Sequence, residues 1–349
     1  MADYTSQLLR RLDGRFQCDA RQLDMRHGTL AYARQCADVA SALMRRPYAC
    51  VHLQYTPTTS GPAAPALLWL ARLRRARVII SAHERPSTYE RRLRRPLRFA
   101  FGMFERMLLR SAERALVFSK AHAQEIAARH RMYAAVVHMG IDAVDGQAAN
   151  LSGGRDLPIV TFAGFIRPSK GVDVLVRAAP LAAARAGRPF RVRIVGATDP
   201  RDAAYVERLQ RDIARANDAR ARDADSNVVE FVGEVPPDEY RQILASSYLF
   251  VFPFRTVSQS ITFNEVMALG TPAIASDVGG VGEVIDEFGV GLTFKCDDAE
   301  DLARAIGRML MDRELYAACR VRAQQYARLA DWQNVAAVHE DTYREVLAA

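Results

Sequence analysis

From residue 158 onward, short apolar runs alternate with stretches of helical spacing. Pro158–Gly164 (PIVTFAG), Phe190–Gly196 (FRVRIVG), Asn227–Gly233, Tyr248–Pro253 and Thr271–Ser276 read as buried strands. Between them, Gly171 to about Ala186, about Asp202 to Ala216, Pro237–Ala245 and about Thr262 to Leu269 read as helices. Strands of this length separated by helices predict βαβ units and a parallel sheet. The first half repeats the rhythm, with strands at about Ala49–Gln54, Val78–Ala82, Ala115–Ser119 and Ala134–His138. The stretch Ala143–Asp156 (AVDGQAANLSGGRD) is small and polar and reads as a linker. Two doubly wound α/β domains follow, 1–145 and 146–330. Ligands in such sheets bind outside the carboxyl ends of the strands.

The chain opens on a helix, Ala2 to about Leu12. A doubly wound domain ordinarily opens on a strand and a glycine-rich turn, so the expectation is an N-terminal domain that lacks its first strand. The alternative is an unusual fold.

The 349 residues exceed what one core usually organises. Half are hydrophobic and a quarter charged, which excludes a disordered or collagen-like chain. No apolar run is long enough for a spanning helix, and the first residues lack a signal-peptide pattern, so a cytoplasmic location is expected. The five cysteines are scattered, without C-x-x-C spacing, and suggest neither a disulfide framework nor a zinc site. The charge is unevenly divided. Residues 1–150 hold 24 Arg and Lys against 12 Asp and Glu, and the remainder 24 against 28. Only Lys120, Lys170 and Lys295 are lysines.

Four segments carry candidate chemistry. After the 158–164 strand the turn reads Gly164-Phe165-Ile166-Arg167-Pro168-Ser169-Lys170-Gly171. A turn between a strand end and a helix start favours an anion, and Arg167 with Lys170 suits a diphosphate. The same residues also read as a solvated basic turn. Gly233-Glu234-Val235 stands at a strand end where a glycine lets a flat ligand approach, or is simply a turn. In Phe252–Ser276, Ser260, Ile261 and Thr262 offer a hydroxyl-rich helix start, and Glu265 lies one turn inside, able to accept from a diol or to sit on the surface. Asp277–Glu283 is glycine-rich and equally serves as a plain turn.

In this order and spacing the four segments resemble the nucleotide-sugar half of glycosyltransferase family 4, which has the GT-B fold. The resemblance covers essentially residues 158–347, and the end of the chain, 331–349, looks like that family's last helix crossing back to the N-terminal domain. It implies two Rossmann-like domains facing a cleft, with the first binding the acceptor. The residues matching Arg167 and Lys170 would hold the donor diphosphate. Those matching Glu234 and Val235 would lie against the base, and that matching Glu265 would bind the ribose. Gly164, Ser260, Ile261 and Thr262 would complete the donor site. In the first half, Ala2-Asp3-Tyr4-Thr5 looks like the stretch after the family's first glycine-rich loop. Ser81-Ala82-His83-Glu84 looks like the strand end that points a histidine at the donor sugar, and His138–Asp142 resembles the motif that closes the domain. One position departs: the first of the family's two glutamates would fall at Val257, followed by Ser258-Gln259-Ser260 instead of Gly-Phe-Gly.

The implied activity is sugar transfer from a nucleotide diphosphate to a glycan or lipid-linked acceptor, in cell-surface polysaccharide or glycoconjugate biosynthesis. The anomeric configuration would be retained, with neither metal nor other cofactor required. The rival is a non-catalytic GT-B partner or scaffold protein that has lost part of the donor-sugar site. Asp223-Ala224-Asp225 matches the D-x-D string of metal-dependent transferases but lies in a polar stretch, and Asn150-Leu151-Ser152 is a sequon without a secretory context. Arg85–Arg114 holds nine arginines against three glutamates, interleaved with Leu and Phe. This basic amphipathic pattern reads as a contact with an anionic membrane surface at the inner face, or as a core helix with an arginine-coated outer side. No nucleic-acid-binding module is recognised.

Overall fold

A computed structural model of the chain describes residues 2–21, 23–25, 28–56, 60–83, 95–142, 157–186, 189–218, 229–256 and 260–349. The chain divides into two compact units, Met1–Gly140 with Trp332–Ala349, and Ile141–Asp331. Each holds one parallel sheet.

The sheet of the first unit has the order β1–β2–β3–β4, formed by Cys50–Tyr55, Arg77–Ala82, Arg114–Val117 and Ala134–Val136. All pairs are parallel. Successive side chains go to opposite faces of a strand, and both faces here are covered. Val78, Ile80, Ala115 and Val117 enter a core with Leu43, Leu68, Leu108 and Ile126. Ile79, Leu116 and Phe118 enter a second core with Tyr4, Leu8, Leu12, Trp332, Val335 and Val346. The first face is covered by α2 (Thr29–Arg45), α3 (Ala64–Leu73), α4 (Arg95–Arg110) and α5 (Lys120–His130). The second is covered by α1 (Ala2–Leu12) and the last helix of the chain (Trp332–Ala348), which pack on each other. Ser119, expected at the end of a strand, caps α5 instead, its hydroxyl accepting from the His122 N–H at 3.1 Å.

The second unit carries six parallel strands in the order β10–β9–β8–β5–β6–β7. They are Gly291–Phe294, Ala273–Ser276, Leu249–Phe252, Ile159–Ala163, Arg191–Val195 and Val229–Gly233. Its core includes Phe162, Phe190, Ile194, Phe250, Phe252 and Phe263. After β5 come a 3-10 turn, Pro168–Lys170, and α6 (Val172–Ala186). Helix α7 (Ala203–Asp218) follows β6, and α8 (Pro237–Ser246) follows β7. Helices α9 (Ile261–Ala268) and α10 (Gly279–Phe288) follow β8 and β9, and α11 (Ala299–Met311) and α12 (Arg313–Leu329) follow β10. The sheet grows outward from β5 in one direction and then from β8 in the other. The order therefore reverses between β5 and β8.

All five cysteines are free thiols. The expected linker (143–156), Glu84, the segment 85–94, the D-x-D string and Val257-Ser258-Gln259 lie outside the described residues. No described helix is long and apolar enough to cross a membrane.

Candidate functional site

The strand ends of the second unit finish level: Ala163 pairs with Val195, Val195 with Gly233, and Phe252 with Ala275. Three glycine segments knit this edge. Gly164 N–H donates to Val195 O at 3.0 Å, and Gly196 N–H donates to Gly233 O at 2.8 Å. Gly196 has φ +146°, and a Cβ there would stand 1.8 Å from the Gly164 carbonyl oxygen. Only glycine fits this position. The chain beyond Gly164 runs beside the β6 loop, with Ile166 N–H donating to Ala197 O at 2.9 Å, and turns into the 3-10 segment that holds Lys170.

At the β5/β8 reversal the two loops are fastened together. Gly171 is left-handed at φ +64°, and a Cβ would meet the Pro253 carbonyl oxygen at 1.8 Å. Arg255 N–H donates to Ser169 O at 2.9 Å. The Arg255 guanidinium donates to Pro168 O at 2.6 Å, to both Asp173 carboxylate oxygens at 2.9 and 2.8 Å, and to Asp297 at 2.6 Å. Asp173 also accepts from the Tyr205 hydroxyl at 2.8 Å. Burial works against the Asp173 charge, but the hydrogen bonds from Arg255 and Tyr205 hold it below the ordinary aspartate range.

This arrangement positions Arg167 and Lys170. The Lys170 ammonium lies 4.0 Å from the centroid of the Phe254 ring, and the Arg167 guanidinium 4.8 Å from that of Phe165. Neither forms an ion pair with a carboxylate among the described residues. Arg167 Nε is buried with no hydrogen-bond partner. Burial, and secondarily the charge of Arg167, push the Lys170 ammonium down to about 8. Two half-buried cations stand side by side, one with an unmet donor, an arrangement chemically suited to an anion.

Helix α9 begins beyond β8. Ser260 caps it, its hydroxyl accepting from Phe263 N–H at 3.3 Å. The N–H groups of Ile261 and Thr262, in the first turn, have no intrahelical acceptor by the geometry of a helix start. Glu265 accepts from the Tyr240 hydroxyl at 2.8 Å, and that hydroxyl also lies 3.2 Å from Thr262 Oγ1. Burial raises the Glu265 carboxyl, offset in part by the Tyr240 bond. Tyr240 belongs to α8, which starts just past Glu234 and Val235. Glu234 is exposed and Val235 packs partly on the core. One hydroxyl thus ties the segment after β7 to the one after β8.

The second unit therefore holds Gly164, Arg167 and Lys170 on the loop after β5 and Ser260, Ile261, Thr262 and Glu265 at the helix start after β8, with Glu234 and Val235 leaving the sheet at β7. His83 lies in the first unit and is described there by itself. Its N–H donates to Tyr55 O at 3.0 Å, and its Nε2 is 2.7 Å from Gln54 Oε1. Phe118 lies against the ring at 4.5 Å, and Tyr4 meets it edge-on at 5.5 Å. Burial pushes the imidazole down to about 3, so it is neutral throughout the physiological range.

Sequence reasoning missed Arg255, Asp173 and Tyr240. Arg255 and Asp173 are 82 positions apart, and nothing local marks them as partners. The one available signal was position: Arg255 follows the end of β8 directly, at the reversal.

Fold and edge chemistry define a two-unit α/β protein with two half-buried cations at a strand-order reversal. The family comparison agrees. Residues 157–312 match the family described as "Glycosyl transferases group 1", and residues 4–140 match "Glycosyl transferase 4-like domain". The chain belongs to the family 4 glycosyltransferases of the GT-B fold. It is 34% identical over 191 residues to a D-inositol 3-phosphate glycosyltransferase of Nocardia farcinica, covering 54% of this chain and 41% of that one. A protein of the same name from Streptomyces bingchenggensis is 27% identical over 257 residues, covering 70% and 55%. The chain thus spans about half the length of the curated relatives it matches. Its fold is shared with Anabaena HepE in complex with UDP (TM-score 0.69, 18% identity, 89% of this chain and 82% of that one). It is shared also with sucrose-phosphate synthase from Thermosynechococcus elongatus (TM-score 0.70, 21% identity, 93% and 80%).

Proposed function

We propose that the protein transfers a sugar from a nucleotide diphosphate donor to an acceptor hydroxyl. The observation that carries this reading is the pair Arg167 and Lys170, half-buried, held at the strand-order reversal and without a carboxylate of their own. As the donor's C1–O bond breaks, negative charge grows on the leaving diphosphate. Arg167, Lys170 and the N–H groups of Ile261 and Thr262 stabilise it without reorganising, which lowers the barrier. The pair supplies the positive charge a metal ion brings elsewhere, and the family resemblance adds retention of the anomeric configuration. Glu265, oriented by Tyr240, accepts from the ribose, and Val235 lies against the base. His83, kept neutral, serves as a hydrogen-bonding group for the sugar.

The donor base is proposed to be uracil, supported by the Anabaena fold relative in complex with UDP. The acceptor is proposed to be a lipid-linked glycan of cell-surface glycoconjugate biosynthesis, at the cytoplasmic membrane face. The relatives named for D-inositol 3-phosphate favour a second acceptor, an inositol phosphate. The non-catalytic alternative draws no support from the comparisons.

A thermal-shift series with UDP, GDP, ADP and dTDP tests the donor half. Ligand at about a hundred times its dissociation constant adds roughly 2.7 kcal/mol of stability. Stabilisation by UDP is expected, and none from any nucleotide overturns the reading. Transfer from UDP-sugars to D-inositol 3-phosphate and to lipid-linked acceptors then separates the two acceptors. Arg167→Ala or Lys170→Ala is expected to abolish transfer.

A further inference from the structure

Two neighbouring helices of the first unit hold large apolar side chains outward. In α3 the buried face is Leu67, Leu68 and Ala71, while Trp69 and Leu73 on the other side are 64% and 58% exposed. In α4, Leu108 and Leu109 are buried, while Phe99, Met103 and Met107, spaced four residues apart, are 72%, 53% and 61% exposed. The helices pack on each other, and Arg72 of α3 donates to the Ser111 carbonyl oxygen, just past α4, at 2.9 Å. The two stripes therefore adjoin.

The exposed charge on α3, α4 and the turn after α3 is basic, and Glu113, just past α4, lies 3.8 Å from Arg72. Arg72, Arg74, Arg75, Arg106 and Arg110 are exposed. The segment 62–76 contains no acidic residue. The one carboxylate of α4, Glu105, is buried and lies 3.2 Å from His130. A run of Trp, Leu, Phe and Met turned outward is an interaction surface rather than an ordinary solvated face. Its ring of arginines selects the occupant. A second copy docked through the same surface would set arginine against arginine. A bilayer with acidic lipids instead takes the apolar side chains into the acyl boundary and offers a phosphate to every guanidinium.

We infer that α3 and α4 form a docking surface for an anionic lipid bilayer, with Trp69 and Phe99 entering at headgroup depth and the arginines meeting lipid phosphates. The inference rests on the proposed function only for its purpose, which is to hold the protein where a lipid-linked acceptor is found. The binding is measured without donor or acceptor, so its failure and a failure of the transfer reading are distinct results.

The chain has two tryptophans, and Trp332 is 5% exposed, so an emission change on adding vesicles reports Trp69. Vesicles of phosphatidylcholine are compared with an equal mixture of phosphatidylcholine and phosphatidylglycerol. The expected result is a blue shift and co-sedimentation with the anionic vesicles alone, reversed by salt. Phe99→Ala is expected to lower the partition coefficient roughly tenfold, the worth of burying one large apolar side chain. Arg106→Gln and Arg110→Gln should each lower it about fivefold. The melting temperature and far-ultraviolet circular dichroism of every variant without ligand are expected to equal those of the wild type, which excludes misfolding as the cause. No blue shift, equal recovery with neutral and anionic vesicles, or self-association without lipid binding overturns the inference.

Discussion

The lowered ammonium of Lys170 has a measurable consequence for donor binding. Burial beside Phe254 and the neighbouring charge of Arg167 bring the group from 10.5 to about 8. On the proposed reading a diphosphate binds the charged lysine, so the free protein must be protonated there before the ion pair forms. The protonated fraction is nearly complete at pH 7 and about a tenth at pH 9, so the dissociation constant for UDP should rise about tenfold across that interval. The sign is fixed: affinity is full below the folded value and is lost as pH rises through it. A lysine at its ordinary value would stay charged throughout and give a flat profile. Isothermal titration calorimetry from pH 7 to 9 in buffers of different ionisation enthalpy reads both the constant and the proton uptake. Lys170→Arg keeps the charge at every pH and should flatten the curve. A flat wild-type profile, or the same slope in Lys170→Arg, refutes the reasoning.

Arg255→Met unties the two loops and leaves the Asp173 carboxylate with Arg177 at 3.8 Å and the Tyr205 hydroxyl; the UDP dissociation constant should rise at least about tenfold, the usual loss on breaking a charged hydrogen-bonded bridge. Adding Asp173→Asn should recover part of it, and equal constants for the single and double variants contradict a charge effect. Tyr240→Phe removes one bond to Glu265 and one contact with Thr262, and should cost about 1 kcal/mol of UDP binding with no change for inorganic diphosphate. A loss shared by both ligands shows that Tyr240 holds the phosphate end instead. Burial depresses His83 and His339 to about 3 and about 4 against 6.5 unfolded, so their contribution to stability is present above the unfolded value and is lost as pH falls toward the folded one. At pH 5 each should cost the first unit about 2 kcal/mol relative to pH 7 and above. A melting temperature of the first unit unchanged between pH 7 and 5 rules that out.

The parallel sheets were legible because both of their faces are buried. Val78-Ile79-Ile80 and Phe250-Val251-Phe252 are continuous apolar runs for that reason. The Arg167/Lys170 loop was legible because residue type and position agree: basic side chains between a strand end and a helix start. The strand Gly291–Phe294 was not marked, since it lies at the sheet edge, is only partly buried and so lacks the continuous apolar run of Leu249–Phe252. Nor was the role of Gly196, whose need for glycine comes from the Gly164 carbonyl oxygen on the neighbouring strand's loop. The burial of His83, and with it its neutrality, depends on Tyr4 and Phe118, which no local pattern connects to it. What escapes the sequence is consistently a partner distant along the chain.

Charge makes the same point about the site. Residues 151–349 carry more acid than base, yet the turn at 167–170 keeps two cations without a carboxylate partner among the described residues. The nearby carboxylates are already engaged. Asp173 and Asp297 are held by Arg255, and Asp199 is held by Arg201 at 2.6 Å. Arg255 holds Asp173 with two hydrogen bonds, and Arg177 stands 3.8 Å from the same carboxylate. An internal ion pair at Arg167 or Lys170 would cancel the charge that the proposed transfer needs, because only cations not already neutralised stabilise a leaving group as its charge grows. On the proposed reading, Arg255 is the support of the site that Arg167 and Lys170 form. It joins the two loops at the strand-order reversal and occupies Asp173 and Asp297.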